Sequence, residues 1–407
     1  MQDLTPTLGR DRFDRRALTA LAGGHLLADA TQGVVPALLP FLVRDRGLSF
    51  AAASALVLAS TIASSVVQPI FGHLSDRRPL PWLMPVGVLV GGLGVALTGL
   101  TSSYAALVAA VLLSGLGVAA FHPEGARFVS AVSGERKATG MSVFSLGGTA
   151  GFALGPALVT VLVVAFGLPG TVFLIVPAVV MALALALEVP RLGRLRAAAT
   201  AARGRAGAGA DGDDDVPAFT RLAGVAIVRS FVYYGLLTFV PLYFVGVLGT
   251  SEAQGASALT VMLAGAAVGT LAGGWLADRI GRWLVLAGSM VLLPPVLVVL
   301  LALECGPLVL AVLALAGALG VGSYTVIVVM GQELMPNRLG VASGVTLGLA
   351  IGMGGVGASA LGVVADAYGL ETTMGAIAAL PLVALALTVT LPGRPGASRR
   401  RAAPAEP

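Results

Sequence analysis

The chain is poor in the residues from which soluble enzymes build their sites. It holds one cysteine (Cys305), one lysine (Lys137) and three histidines, and only 11% of its 407 residues are charged. A lone cysteine excludes a disulfide framework. One cysteine and three histidines scattered along the chain lack zinc-ligand spacing, so no metal site is expected. Lys137 has no Gly-x4-Gly-Lys-Ser/Thr context, which excludes ATP hydrolysis through a phosphate-binding loop. Soluble domains carry about 25% charged residues, so this chain has too little polar surface to remain in water. No catalytic constellation or cofactor is expected.

What is abundant is apolar: 57% of residues are hydrophobic and the mean hydropathy is +0.94. The apolar runs predict twelve helices, six at 17–43, 49–74, 80–101, 104–130, 138–165 and 170–188. Six more follow at 219–247, 255–277, 283–303, 307–331, 340–365 and 372–391. Runs this long and continuous favour an all-α membrane protein over a barrel of short alternating strands. The organisation expected is a tail (1–16), a six-helix bundle (17–189), a flexible linker (190–218), a second bundle (219–392) and a tail (393–407). The linker is rich in Ala, Gly and Arg, then acidic, with no apolar face.

Twenty-one of the 25 basic residues fall on one side of this pattern. Arg44 and Arg46 lie on the other side, and Arg127 and Arg229 lie inside spans. The positive-inside rule puts both termini in the cytoplasm. The net charge of +5 therefore reports orientation, not a nucleic-acid partner. Arg15-Arg16 before an apolar run imitates a twin-arginine export signal, but that run continues to Val43 and merges into the spans.

The two halves share a motif. Gly72-His73-Leu74-Ser75-Asp76-Arg77 and Gly274-Trp275-Leu276-Ala277-Asp278-Arg279 lie 202 positions apart, as do Arg136 and Arg338, and Gly155 and Gly357. The glycines are expected to permit close helix approach, Asp76 to cap the start of the third helix, and the arginines to pair across a gate. A plain turn carrying orientation charges is the simpler alternative.

With this doubled loop the chain resembles the major facilitator superfamily across essentially its whole length. Further motifs narrow the resemblance. Helix 1 carries His25-x3-Asp29-x2-Gln32 and Leu38-Leu39-Pro40, and helix 4 ends in Phe121-His122-Pro123-Glu124-Gly125-Ala126-Arg127. Helix 5 carries Gly147-Gly148-x2-Gly151-x3-Gly155-Pro156, and helix 7 carries Arg229-x-Phe231 with Phe239-Val240-Pro241-Leu242-Tyr243. Together these look like the fosmidomycin-resistance type of bacterial efflux transporter. The resemblance implies a multi-pass protein of the bacterial inner membrane, a monomer by default, exporting an anionic or polar drug such as a phosphonate. Gly151, Gly155 and Pro156 resemble the first part of the helix-packing antiporter motif of proton-driven exporters, without its trailing glycines. The arginine usual in the middle of helix 4 of drug–proton antiporters is absent, Val111-Leu112-Leu113-Ser114 standing there.

Charges within a bilayer are costly and mark functional candidates. Asp29 and Arg229, on repeat-related helices 1 and 7, are expected to face a central cavity from opposite halves, with Arg229 a forked donor for an anion. Asp29 is expected to exchange protons with His25 one turn away, and a static Asp29–Arg229 ion pair is the alternative. His122, Glu124 and Arg127 read equally as an inward proton path or a quiet internal pair. Tyr233, Tyr234, Tyr324 and Gln32 are further substrate-binding candidates. Asp366, Glu304 and Glu333 read as interfacial, and His25-x3-Asp29 only imitates an acyltransferase motif.

With protons and a small molecule as partners, the function expected is a proton-coupled efflux antiporter working by alternating access. A symporter importing an organic anion or sugar is the alternative, and a membrane-embedded sensor or enzyme is a more remote one.

Overall fold

In the computed structural model, residues 14–77, 80–133, 137–203, 213–304, 306–338, 341–342 and 344–392 are described. Among them there are helices and no strands. In chain order they are α1 (Arg15–Arg46), α2 (Phe50–Ser65), α3 (Gln68–Arg77), α4 (Leu83–Thr98), α5 (Tyr104–Val132) and α6 (Lys137–Phe166). After a 3-10 segment (Leu168–Leu174) come α7 (Ile175–Arg203), α8 (Val216–Gly246), α9 (Glu252–Ile280) and α10 (Arg282–Ala302). They are followed by α11 (Pro307–Gly322), α12 (Tyr324–Leu334), a π-helical turn (Gly344–Leu349) and α13 (Ala350–Thr388). Ten helical segments among the described residues are long and apolar enough to cross a membrane, and α4 is a shorter apolar helix of 16 residues. Inside α13 the chain leaves helical geometry at Gly369, with φ 84 and ψ 167.

Local backbone geometry repeats at the 202-residue offset of the sequence motif. Gly47 (φ 61) and Gly249 (φ 66) take the left-handed conformation that ends α1 and follows α8. Gly167 (φ 68, ψ -172) and Gly369 (φ 84, ψ 167) share a different positive-φ geometry, with extended ψ, at equivalent bends. Ser49 caps α2 by accepting from Ala52 N, and Ser251 caps α9 by accepting from Gln254 N. Asp14 N donates to the Val132 carbonyl (3.0 Å) and Asp215 N to the Leu334 carbonyl (2.8 Å), so the start of each half's first helix, one residue out of that offset, is tied to carbonyls that keep it.

Helix pairing repeats as well: α1 lies along α6 as α8 lies along α13, and α2 meets α5 as α9 meets α11. The α1–α6 contact is backbone on backbone. A Cβ added at Gly147, Gly151 or Gly155 would stand 2.3, 1.9 and 2.3 Å from the carbonyl oxygens of Ala22, Leu26 and Ala30. Small residues at every fourth position let the helices approach this closely where burial from water offers no driving force. Gly151→Ala is therefore expected to force the helices apart at a cost of about 1–3 kcal/mol. Thermal melting in detergent should show a clear drop, while Gly274→Ala, where a Cβ meets nothing within 4 Å, should melt like wild type.

Two sequence expectations need correction. The segment 190–203, assigned to a flexible linker, continues α7 as helix. At the other end of that linker the acidic run is engaged: Asp215 accepts from Ala218 N (3.0 Å) as the cap of α8. Asp214 accepts from Asn337 N (3.0 Å) and pairs with Arg338 (3.3 Å). Acidic side chains at a helix start find unsatisfied backbone N–H groups, which composition alone does not show. Residues 1–13, 204–212 and 393–407, with Arg136 and Cys305, lie outside the described residues.

The halves meet closely at the end bearing Gly47 and Gly249, where α2 packs on α13 and α6 on α9. There Phe50 N and Ala51 N donate to the Asp366 carboxylate (2.8 and 3.0 Å), and Arg44 pairs with Glu252 (2.7 Å). At the opposite end Ile70 and Leu74 of α3 are exposed, and neither Gly72 nor Gly274 has an atom within Cβ contact range. Among the described residues, the hydrogen bonds and ion pairs that join the two halves lie at the end bearing Gly47 and Gly249.

Candidate functional site

Two polar clusters face each other across the halves. In the first half, His25 and Asp29 stand one turn apart on α1, and α5 brings His122 to them. His25 Nε2 lies 3.1 Å from His122 Nε2 and 3.3 Å from Asp29 Oδ2, and His122 Nε2 lies 3.1 Å from Asp29 Oδ1. Each ring is anchored by its other nitrogen: His25 Nδ1 donates to the Phe144 carbonyl (2.8 Å) and His122 Nδ1 to the Val118 carbonyl (2.9 Å). A carbonyl only accepts, so both rings carry hydrogen on Nδ1 and turn Nε2 toward the partner ring and the carboxylate. Phe144 stacks on His25 with centroids 4.0 Å apart, fixing the ring plane.

Gly148 completes this cluster, and its role is not singled out by sequence reasoning. A Cβ there would stand 2.5 Å from His25 Nε2 and 2.6 Å from Asp29 Oδ2. The signal was the Gly147-Gly148 doublet: one member serves the α1–α6 contact and the other makes room for the triad. The expectation that the histidines are too dispersed to share a ligand also needs correction. The fold brings His25 and His122 together across 97 residues. With Asp29 they form a group, among the described residues, whose ligand atoms all lie within 4.8 Å of one another.

The second cluster belongs to the other half. Arg229 on α8 is 4% exposed. Its Nε has no hydrogen-bond partner, and no carboxylate pairs with it among the described residues. The Tyr324 ring lies 4.9 Å from its guanidinium carbon. Tyr233 and Tyr234, one turn along α8, have ring centroids 5.3 Å apart, and Phe152 of the first half reaches Tyr233 at 6.4 Å. All three tyrosines lie within electrostatic reach of the guanidinium. Asp29 is paired with the two histidines instead, so the structure does not contain a static Asp29–Arg229 ion pair. Gln32, half-buried on α1, lines a narrow void with Tyr234, Phe152, Ser60 and Thr61.

Glu124 and Arg127 are not gathered into the triad. The buried Glu124 accepts from Leu80 N (2.9 Å), and Arg127 donates to the Gly72 carbonyl (2.8 Å). They hold α3 and the chain entering α4. This corrects the reading of the doubled loop as well. Asp76 belongs to the last turn of α3 and Asp278 to that of α9, and the N-cap positions of α4 and α10 are held by Trp82 and Gly281 instead. At the first of these turns it is Glu124 that satisfies a backbone N–H. Gly72 and Gly274 make no close helix approach, since a Cβ at either meets nothing within 4 Å. The side chains of Asp76 and Arg77 lie outside the described residues. Arg279 lies over the Trp275 ring at 3.8 Å, and Glu333 pairs with Arg282 of the same half.

Comparison with known proteins places this geometry. Over 366 residues the chain is 35% identical to the uncharacterized MFS-type transporter YfnC of Bacillus subtilis (strain 168), covering 89% of each chain. It is 31% identical over 379 residues to the fosmidomycin resistance protein of Escherichia coli (strain K12), covering 92% of each. Its fold matches that of a bacterial homologue of the human lysosomal transporter Spinster, in an inward-facing and occupied conformation. That match has a TM-score of 0.74 at 18% identity and covers 93% of this chain and 96% of the other. The family model of the Major Facilitator Superfamily matches residues 21–355. Paired helical halves repeating at a fixed offset, with polar clusters between them, are thus the architecture of a transporter family, and the chain belongs to the Major Facilitator Superfamily.

Proposed function

We propose that the protein is a proton-coupled efflux antiporter for small anionic compounds, with fosmidomycin-like phosphonates as its model substrate. The observation that carries this reading is Arg229. A guanidinium held inside the protein with no acidic partner among the described residues costs several kcal/mol, and an anion bound there removes that cost. Its planar fork suits two oxygens of a phosphonate or carboxylate. Tyr233, Tyr234 and Tyr324 supply hydroxyls and an aromatic face beside it. The 31% identity to a fosmidomycin resistance protein supports the substrate class and the outward direction.

In this reading the chain crosses the bacterial inner membrane twelve times as a monomer. The ten long segments are joined by α4 and by division of α13 at Gly369, the counterpart of the bend at Gly167. Both termini are cytoplasmic, so the end closed by Asp366 and by Arg44–Glu252 faces outward and the molecule is inward-open. The coupling proton is received by Asp29 with His25 and His122, opposite the anion. Anion and proton favour different states, and each shifts the population between inward- and outward-open forms.

Expression in a fosmidomycin-sensitive, efflux-deficient bacterium tests this directly. Cells carrying the protein should tolerate several-fold more drug and retain less of it than cells with an empty vector. Unchanged tolerance with the protein present in the membrane removes phosphonates as substrates. Greater drug accumulation indicates import.

A further inference from the structure

The triad of the first half has a property that transport alone does not require. Both Nδ1 atoms donate to backbone carbonyls, so neutral imidazoles present only lone pairs at Nε2, and an ionised carboxylate only accepts. With both rings neutral, three acceptors sit 3.1, 3.3 and 3.1 Å apart, and Asp29 Oδ1, which makes no hydrogen bond, lies against His122 Nε2. Such a group is repulsive until a cation joins it.

The dimensions point to the kind of cation. Ligands about 2.0–2.1 Å from a tetrahedral ion stand about 3.3–3.4 Å from one another, close to the observed triangle. Donation of the second ring nitrogen to a backbone carbonyl is how metal-binding histidines are held in tautomer and orientation. Gly148 presents no side chain to the group. The side chains of His25, Asp29 and His122 remain 10%, 16% and 20% exposed, so water and ions reach them. The nearest other charged groups on α5, Glu124 and Arg127, are directed to Leu80 and Gly72.

We propose that His25, Asp29 and His122 form a binding site for a late first-row divalent metal ion such as Zn2+ or Co2+, with water in the fourth position. Two imidazoles and one carboxylate select such ions over Mg2+ and Ca2+, which take largely oxygen ligands in higher number. Binding is independent of the transport reading. Its consequence for transport rests on that reading: an ion held by these three atoms occupies the place of the coupling proton, so Zn2+ blocks transport and Mg2+ does not.

The test is a Co2+ titration of purified protein without a polyhistidine tag, followed by visible absorption and equilibrium dialysis. The expected result is one Co2+ per chain, with the intense bands of a tetrahedral site, displaced by Zn2+. His122→Ala should weaken binding by at least about 100-fold, and Arg229→Gln should leave it unchanged. Melting curves identify any variant that has not folded, and His25→Gln gives a second removal of one ligand. Absence of Co2+ bands in folded wild type overturns the site, as does undiminished binding in folded His122→Ala and His25→Gln. Co2+ binding without any proton-driven transport would leave the metal site standing and remove the coupling reading. Proton-driven transport without Co2+ binding would do the reverse.

Discussion

Arg229→Gln is expected to abolish protection against fosmidomycin, returning cells to the tolerance of the empty vector at equal membrane levels of protein. Hydrogen bonds to a charged group contribute about 1.5–3 kcal/mol each. Loss of a bidentate pair amounts to about 3 kcal/mol or more, over a hundredfold in affinity. Arg229→Lys keeps the charge and loses the planar fork, so partial protection is expected. A stability measurement separates binding from architecture. With no carboxylate paired to Arg229 among the described residues, removing its charge leaves no orphaned partner. The glutamine variant should then melt at or above the temperature of wild type. A large fall in melting temperature, with protection retained per folded molecule, would make Arg229 a structural residue.

Asp29→Asn is expected to separate substrate movement from proton movement. Among the described residues the carboxylate is the only negative charge in contact with the facing Nε2 atoms, and removing one partner of a buried charged group costs about 3–5 kcal/mol. The triad then receives a cation more than a hundredfold less readily. In proteoliposomes, flux driven by a pH gradient should fall to background. Exchange of labelled for unlabelled substrate, which needs only the Arg229 side and the conformational change, should persist. His122→Gln should show the same split. Loss of both activities in folded protein would show that Asp29 helps to hold substrate; survival of both would place coupling elsewhere.

The long-range plan of the molecule was legible in the chain. Continuous apolar runs mark crossings, and the Gly72 and Gly274 motifs reveal the duplication. The same offset also relates Gly47 to Gly249, Ser49 to Ser251 and Gly167 to Gly369, pairs that a wider search for repeats would have found. The substrate side was partly legible because a single arginine in an apolar helix is conspicuous. The triad was legible only as separate candidates. Whether His122 meets His25 depends on how α5 packs against α1, and which nitrogen points inward depends on the carbonyls of Val118 and Phe144. The closed end was missed for the same reason. Arg44 and Glu252 stand in different halves, and Asp366 satisfies N–H groups of a helix more than 300 residues earlier in the chain. Asp76 misled because a carboxylate a few residues before Pro79 and Pro81 resembles a cap, whereas the helix continues through Arg77.

The measurement that bears most directly on exchange of an anion for protons is fosmidomycin flux in proteoliposomes holding an imposed pH gradient and a pH-sensitive dye. Wild type should carry the drug toward the acidic compartment while protons leave it, collapse of the gradient should stop net flux, and Arg229→Gln should show neither movement. Net fosmidomycin flux that ignores the gradient, or that survives intact in Arg229→Gln, would contradict it.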